Sequence, residues 1–180
     1  RDLSIAQMVI QRDDEADRFH HLLVRELATA LLDIKVQHEL GFSNITEVLS
    51  YRIIVRNLER IADHAANIAK RILAIGGLEH PEYVQDYLAK DIELFEKAMS
   101  ALYSLSRREA EDVIAKAKDI VTDIEEVIFS KVISAPIDSK EKVAIAMVLD
   151  SIKRVARYSN GIAEASLNIR AAKSPELELK

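Results

Sequence analysis

Apolar residues recur at spacings of three and four along nearly the whole chain, the period of amphipathic helices and not the alternation of strands. Ala6, Ile10, Leu23, Leu27, Leu31 and Ile34 mark a first helix over about residues 2–35. A break follows at Gly41, and Asn44 with Glu47 forms an N-capping pair for a second helix over about 44–75. That helix carries Ile54, Leu58, Ile61, Ala65, Ile68 and Ile72 on one stripe and ends at Gly76-Gly77. Pro81, at a first-turn position, opens a third helix over 81–104, with Leu88, Ile92, Phe95, Met99 and Leu102 on its apolar side. Ser106 with Glu109 caps a fourth over 107–134, and Asp138 with Glu141 caps a fifth over 139–172. With no sustained alternation and no Asn-Gly hairpin turn, the fold class is all-α.

The helical pattern also repeats. Residues 57–69, NLERIADHAANIA, align without gaps on 151–163, SIKRVARYSNGIA. In the fourth helix Val113-Ile114 and Val127-Ile128 match Val9-Ile10 and Leu23-Val24 of the first at a constant offset. The unit is therefore a three-helix set. A first repeat spans 1–78 and a second 79–180, and the first is expected to lack its opening helix, which would lie upstream of Arg1. Without that partner an apolar face of the first repeat stays open unless dimerisation fills it.

Composition narrows what such a bundle can do. The 180 residues are 49% hydrophobic, enough for a substantial core. A net charge of −5 with interspersed signs argues against a broad nucleic-acid surface. With no cysteine, disulfides, thiolate metal sites and thiol catalysis are excluded, and a cytoplasmic setting is expected. No apolar run approaches the ~20 residues of a membrane span. Nucleophilic catalysis finds no Gly-x-Ser-x-Gly elbow and no glycine-rich phosphate loop.

Charge in the wrong place is the strongest chemical signal. On the first helix the seam Ala6, Ile10, Asp13, Asp17, His20, Val24, Leu27, Leu31 has packing spacing, yet Asp13 and Asp17 interrupt it. A carboxylate in an apolar seam is costly unless paired or bound to a cation. Glu59 and Asp63 stand four apart beside the stripe of the second helix. Residues four apart share a helix face, so two antiparallel helices can aim four carboxylates at one place. An all-oxygen donor set suits iron, manganese or magnesium, and a nearby imidazole would extend the range to zinc or nickel. The competing account is an ion-pair network, since Arg56 and Arg60 flank Glu59, and Asp63 can reach Arg60 or Asn67. His20 can either ligate or sit half-buried; His21 and His64 point elsewhere by helix phase, and His38 and His80 lie in or near loops. A ferritin-like di-iron centre wants Glu-x-x-His on two helices, and the nearest approach is Asp17-Arg18-Phe19-His20, without a second copy.

The segment Asn57 to Ala69 resembles the recurring LERIGDHAxNIA segment of PhoU-like proteins, with Ala62 where glycine is usual, and Asp13-Asp-Glu-Ala-Asp17 resembles the DxxxD of the preceding helix. The resemblance implies tandem three-helix bundles and surface metal clusters held by paired E(D)xxxD motifs. It further implies a non-enzymatic regulator of phosphate uptake, acting through the phosphate transporter and its signalling partners. Carried over by position, the metal ligands are Asp13, Asp17, Glu59 and Asp63, with His20 and Asn67 as further ligands or supporting residues. Iron leads the candidate ions, ahead of zinc, nickel, manganese and magnesium.

The second repeat departs from this pattern. Lys153 and Arg157 replace Glu59 and Asp63, and Ala117 and Val121 replace Asp13 and Asp17, so one metal site is expected, in the first repeat alone. Asp119 and Asp123 also form a DxxxD and, if they face the fifth helix, meet Lys153 and Arg157 as salt bridges. A homodimer is expected, with neither nucleic-acid contact nor membrane insertion by this segment. Two other functions compete: the effector part of a transcription regulator whose DNA-binding domain lies outside this sequence, and a carboxylate-bridged metal enzyme.

Overall fold

A computed structural model describes residues 3–74 and 81–173, and among these every regular element is helical. Helix α1 spans Leu3–Leu32, α2 Ile34–Glu39, α3 Ile45–Ala74, α4 Glu82–Ser104, α5 Arg107–Val127 and α6 Ser139–Lys173. The all-α class holds. The ends differ from the sequence reading in physically simple ways. The first helix stops at Leu32, because Asp33 leaves helical geometry (φ −130°) and caps α2, its Oδ1 accepting from the Lys35 amide at 2.8 Å. Leu31 and Ile34 consequently face solvent, while Ala30 with Leu27 takes the buried place. The fourth predicted helix is α-helical to Val127 and continues as a π-turn over Ile128–Val132, where an extra residue is accommodated per turn. Pro81 stands at the cap of α4, one residue before its first turn. Gly76-Gly77 and His80 lie outside the described residues.

The capping chemistry is as the sequence predicts. The Glu47 amide donates to Asn44 Oδ1 at 3.0 Å, while Asn44 Nδ2 returns a bond to Glu47 Oε1 at 3.2 Å. Ser106 Oγ accepts from the Glu109 amide at 3.3 Å, and Asp138 Oδ1 from the Lys140 and Glu141 amides at 2.7 and 3.1 Å. Each cap satisfies a donor that the first helical turn leaves free.

Helices α4, α5 and α6 pack on one another around Leu94, Ile124, Leu149 and Ile152. Helix α3 lies between α6 and α1, adding Ile54, Leu58, Ile61 and Ile68 to that core on one side. On the other it forms a smaller cluster, Val48 and Val55 with Leu27 and Ala30 of α1. Helices α3 and α6 run antiparallel: Asn44 Nδ2 donates to the Ala172 carbonyl at 3.2 Å, and His64 stacks on Tyr158 with ring centroids 5.8 Å apart. His64 and Tyr158 occupy equivalent positions in the two aligned segments. A residue resting on its own counterpart is what a local two-fold axis between α3 and α6 requires. The two helices approach closely at Gly161, where an added Cβ would stand 2.5 Å from Asn57 Nδ2.

Helix α1 has no counterpart of α4 against it among the described residues. The consequence is legible at one pair of equivalent positions: Val127 of α5 is 9% exposed, whereas Leu23 of α1 is 42% exposed. Phe19, Leu22 and Met8 are exposed beside it.

Candidate metal centre

Antiparallel packing of α1 on α3 brings together residues some forty positions apart. Asp17, Glu59 and Asp63 each offer a carboxylate oxygen, and these three atoms lie within 4.8 Å of one another. Oxygens bound to one ion at about 2.1–2.5 Å cannot stand further apart than about twice that distance, so the spacing fits a shared cation. Among the described residues no other set of three or more histidines or carboxylates converges this closely. Glu59 and Asp63 are positioned by four-residue spacing on α3, and Asp17 reaches them from α1.

The fourth predicted ligand, Asp13, stands outside this trio. Its Oδ2 is 3.6 Å from Lys70 Nζ, while its Oδ1 is buried with no hydrogen-bond partner. Burial raises its carboxyl above the ordinary range; Lys70 opposes this, and the charges of Asp63 and Asp17 add to it. Asp13 therefore senses the cluster electrostatically while one of its oxygens is committed to an ammonium group. Lys70 was not singled out by the sequence, although its place one turn beyond Asn67 put it on the relevant helix.

Arg60 supplies the alternative, ion-pair arrangement. Its Nε is 3.5 Å from Glu59 Oε2 and its Nη1 donates to Asp63 Oδ2 at 3.0 Å. One guanidinium thus serves two of the three carboxylates, and Asp17 is left to the cluster alone or to a cation. His20 stays outside the trio; its Nε2 is buried without a partner and its ring lies 5.5 Å from that of His21. Asn67, His21 and His38 are exposed. His64 faces Tyr158 instead, with its pKa lowered first by burial and then by Arg154.

The corresponding place on α5 and α6 has no carboxylate cluster. Ala117 is buried and Val121 half-buried. Lys153 Nζ lies 3.2 Å from Asp150 and 3.3 Å from Glu125, and Arg157 Nη2 3.4 Å from the same Glu125 oxygen. The acid that meets the two cations is Glu125, not Asp119 or Asp123. Those two face α4, lining a cavity with Lys90, Lys97 and Lys116. Glu125 lies two residues past Asp123, which turns it about 200° around α5 onto the face of Ala117 and Val121, so the condition that the DxxxD pair face the fifth helix is not met.

One buried acid escaped notice altogether. Asp91 of α4 is 3% exposed, and its Oδ1 has no hydrogen-bond partner. Burial pushes its carboxyl up to about 8. Its signal was present in the sequence, since Val84, Tyr87, Asp91, Leu94 and Ala98 form a three-four seam with an acid in the middle.

Comparison with known proteins adds an independent line. Residues 1–72 match the family described as PhoU domain. A phosphate-specific transport system accessory protein PhoU homolog from Clostridium acetobutylicum is 21% identical over 183 residues, covering 98% of this chain and 82% of the relative. A homolog of the same description from Deinococcus radiodurans is 33% identical over 72 residues, 40% of this chain and 30% of its own. One from Xylella fastidiosa is 36% identical over 73 residues, or 41% and 28%. The last two alignments thus span less than a third of those relatives.

Proposed function

We propose that the chain, whose residues 1–72 match the PhoU domain, is a PhoU-like accessory regulator of phosphate transport that binds a metal ion and acts through protein contacts, without catalysis. The similarity along 98% of the chain to a phosphate-specific transport accessory protein supports the phosphate role. The single observation that carries the metal reading is the convergence of Asp17, Glu59 and Asp63.

The donor set fits a hard cation. All three groups are oxygens, their mutual repulsion is only partly relieved by Arg60, and the unpartnered Asp13 Oδ1 stands in the same electrostatic neighbourhood. Asp17, Glu59 and Asp63 would hold the ion, with iron first among the candidates and zinc, nickel, manganese and magnesium behind it. Asp13 would join by releasing Lys70; His20 and Asn67 belong to the periphery. The ion would neutralise the cluster and draw α1 onto α3, presenting a fixed surface to a phosphate transporter or sensor protein. The division into repeats 1–78 and 79–180, the homodimer and the cytoplasmic setting belong to the same proposal, as does a metal-free second repeat. No described helix is long and apolar enough to cross a membrane.

Elemental analysis of the purified chain beside Asp17→Asn, Glu59→Gln tests the site, and equal metal in both would sink it. Radiolabelled phosphate uptake by cells lacking the protein, complemented with each form, tests the role. Wild type is expected to restrain uptake and the double variant to do so less; uptake indifferent to the protein's presence would refute it.

A further inference from the structure

Where the first repeat gathers carboxylates, the equivalent surface of α5 and α6 holds a depression of about 230 Å3 lined by Ala117, Lys118, Val121, Arg157 and Asn160. Its lining contains two cations, one amide and no carboxylate. Nearby acids only partly neutralise it. Glu125 Oε1 is shared between Lys153 at 3.3 Å and Arg157 at 3.4 Å, both longer than the roughly 2.7–2.9 Å of a tight charge-assisted bond. Asp150 is divided between Lys153 and Arg154, at 3.2 and 3.0 Å. Glu164 accepts from Asn160 Nδ2 at 2.9 Å, using one of that amide's two hydrogens.

We infer that this depression binds a small tetrahedral oxyanion of the inorganic phosphate class. Arg157 contributes a planar fork suited to paired oxygens, Lys118 a point charge from the opposite helix, and Asn160 a neutral donor one turn beyond Arg157. Ala117 and Val121 supply a floor whose small side chains leave the room that longer ones would fill. Three donors reaching in from two helices favour a tetrahedral anion over a flat carboxylate. The two equivalent places in one chain thus have opposite appetites, cation at the first and anion at the second. The inference rests on this depression alone and stands apart from the metal reading.

The test titrates inorganic phosphate into the chelator-treated full chain at constant ionic strength, with sulfate and acetate in parallel. The readouts are the Arg157 Nε–H and Asn160 side-chain amide signals in nuclear magnetic resonance spectra. Saturable, single-site binding of phosphate and sulfate is expected, with acetate weaker. Arg157→Gln and Lys118→Gln, both at exposed positions, should each weaken binding about fivefold, the size of one exposed charged contact. Val121→Asp, which places a carboxylate in the depression, should abolish it. Absence of saturation, acetate equal to phosphate, or unchanged affinity in Arg157→Gln would each overturn the inference. Chelator treatment separates it from the metal proposal, since a vacant carboxylate cluster repels phosphate.

Discussion

Replacing Asp91 by asparagine should change how stability depends on pH, by an amount the structure sets. In the folded chain burial raises the Asp91 carboxyl to about 8, whereas in the unfolded chain an aspartate titrates near 3.9. The sign follows from proton counting. Between those values the folded state holds a proton that the unfolded state has released, so stability is fullest below about pH 4 and falls as pH rises through 8. The loss is about 1.4 kcal/mol per pH unit, reaching roughly 5 kcal/mol across the window. That is a large fraction of the 5–15 kcal/mol expected of a domain. Asparagine keeps the shape, cannot titrate, and brings a polar cost of its own that is independent of pH. The assay is urea unfolding followed by circular dichroism at pH 4.5, 6 and 7.5 on both proteins, with chelator present. All other titrating groups cancel in the difference. The variant should gain about 4 kcal/mol on wild type between the lowest and highest pH. Parallel stability curves would show that Asp91 ionises normally in the folded chain, and the burial argument would be wrong.

Other expectations can be checked with the same material. Without metal, Asp17→Asn should leave stability unchanged or raise it slightly, because one of three converging negative charges is removed; with metal it should lower the melting temperature relative to wild type. A melting temperature in wild type that ignores added metal would contradict this. Gly161→Ala gains up to about 1 kcal/mol of helix propensity but drives a methyl against the Asn57 amide. The gain should therefore appear in full only when Asn57→Ala is present, and additivity in a double-mutant cycle would refute the close contact. Ser106→Ala should cost about 1 kcal/mol through loss of the α5 cap, measured by denaturant unfolding, and a neutral result would mean that the Glu109 amide finds another acceptor.

Most of the helical plan was legible because local chemistry marks it twice, once by period and once by cap. Asn44, Ser106 and Asp138 each stand where an apolar-periodic segment begins, and each caps it. The failures cluster where the outcome depends on a neighbour. Asp33 interrupts the first helix although the apolar period runs on through Ile34, since a cap competes with propagation and a short polar side chain wins. The candidate site was readable as two DxxxD-like pairs, but spacing along a helix fixes only which residues share a face. It does not say which of four carboxylates a cation on the partner helix will claim. Lys70 takes Asp13 and leaves Asp17 to Glu59 and Asp63. Glu125 was invisible for the same reason, because its contact with Lys153 and Arg157 is set by the rotation of α5 against α6.

The division between what persists and what changes across the two aligned segments has a physical basis. Ile61, Ile68 and Ala69 correspond to Val155, Ile162 and Ala163, residues of the same apolar kind. Changing a core residue's size disturbs packing that many neighbours share. Glu59 and Asp63 sit at the rim, where replacement by Lys153 and Arg157 disturbs only their charge partners. Each such change alters the charge that its neighbours across the helix pair must balance. Here the cations on α6 come with apolar Ala117 and Val121 on α5 and with Glu125 one turn beyond Val121, so no cluster of carboxylates is left for a metal ion to neutralise. A rim under that constraint changes in sets, and the pairing of α1 with α3 against that of α5 with α6 shows such a set: like packing beneath, opposite charge above. Placing Glu59→Lys and Asp63→Arg together in the first segment should therefore keep the α1–α3 contact without metal, because the new cations face Asp17 where carboxylates had repelled it. The same pair should end any response of the melting temperature to added metal; a lower metal-free melting temperature than wild type would refute this.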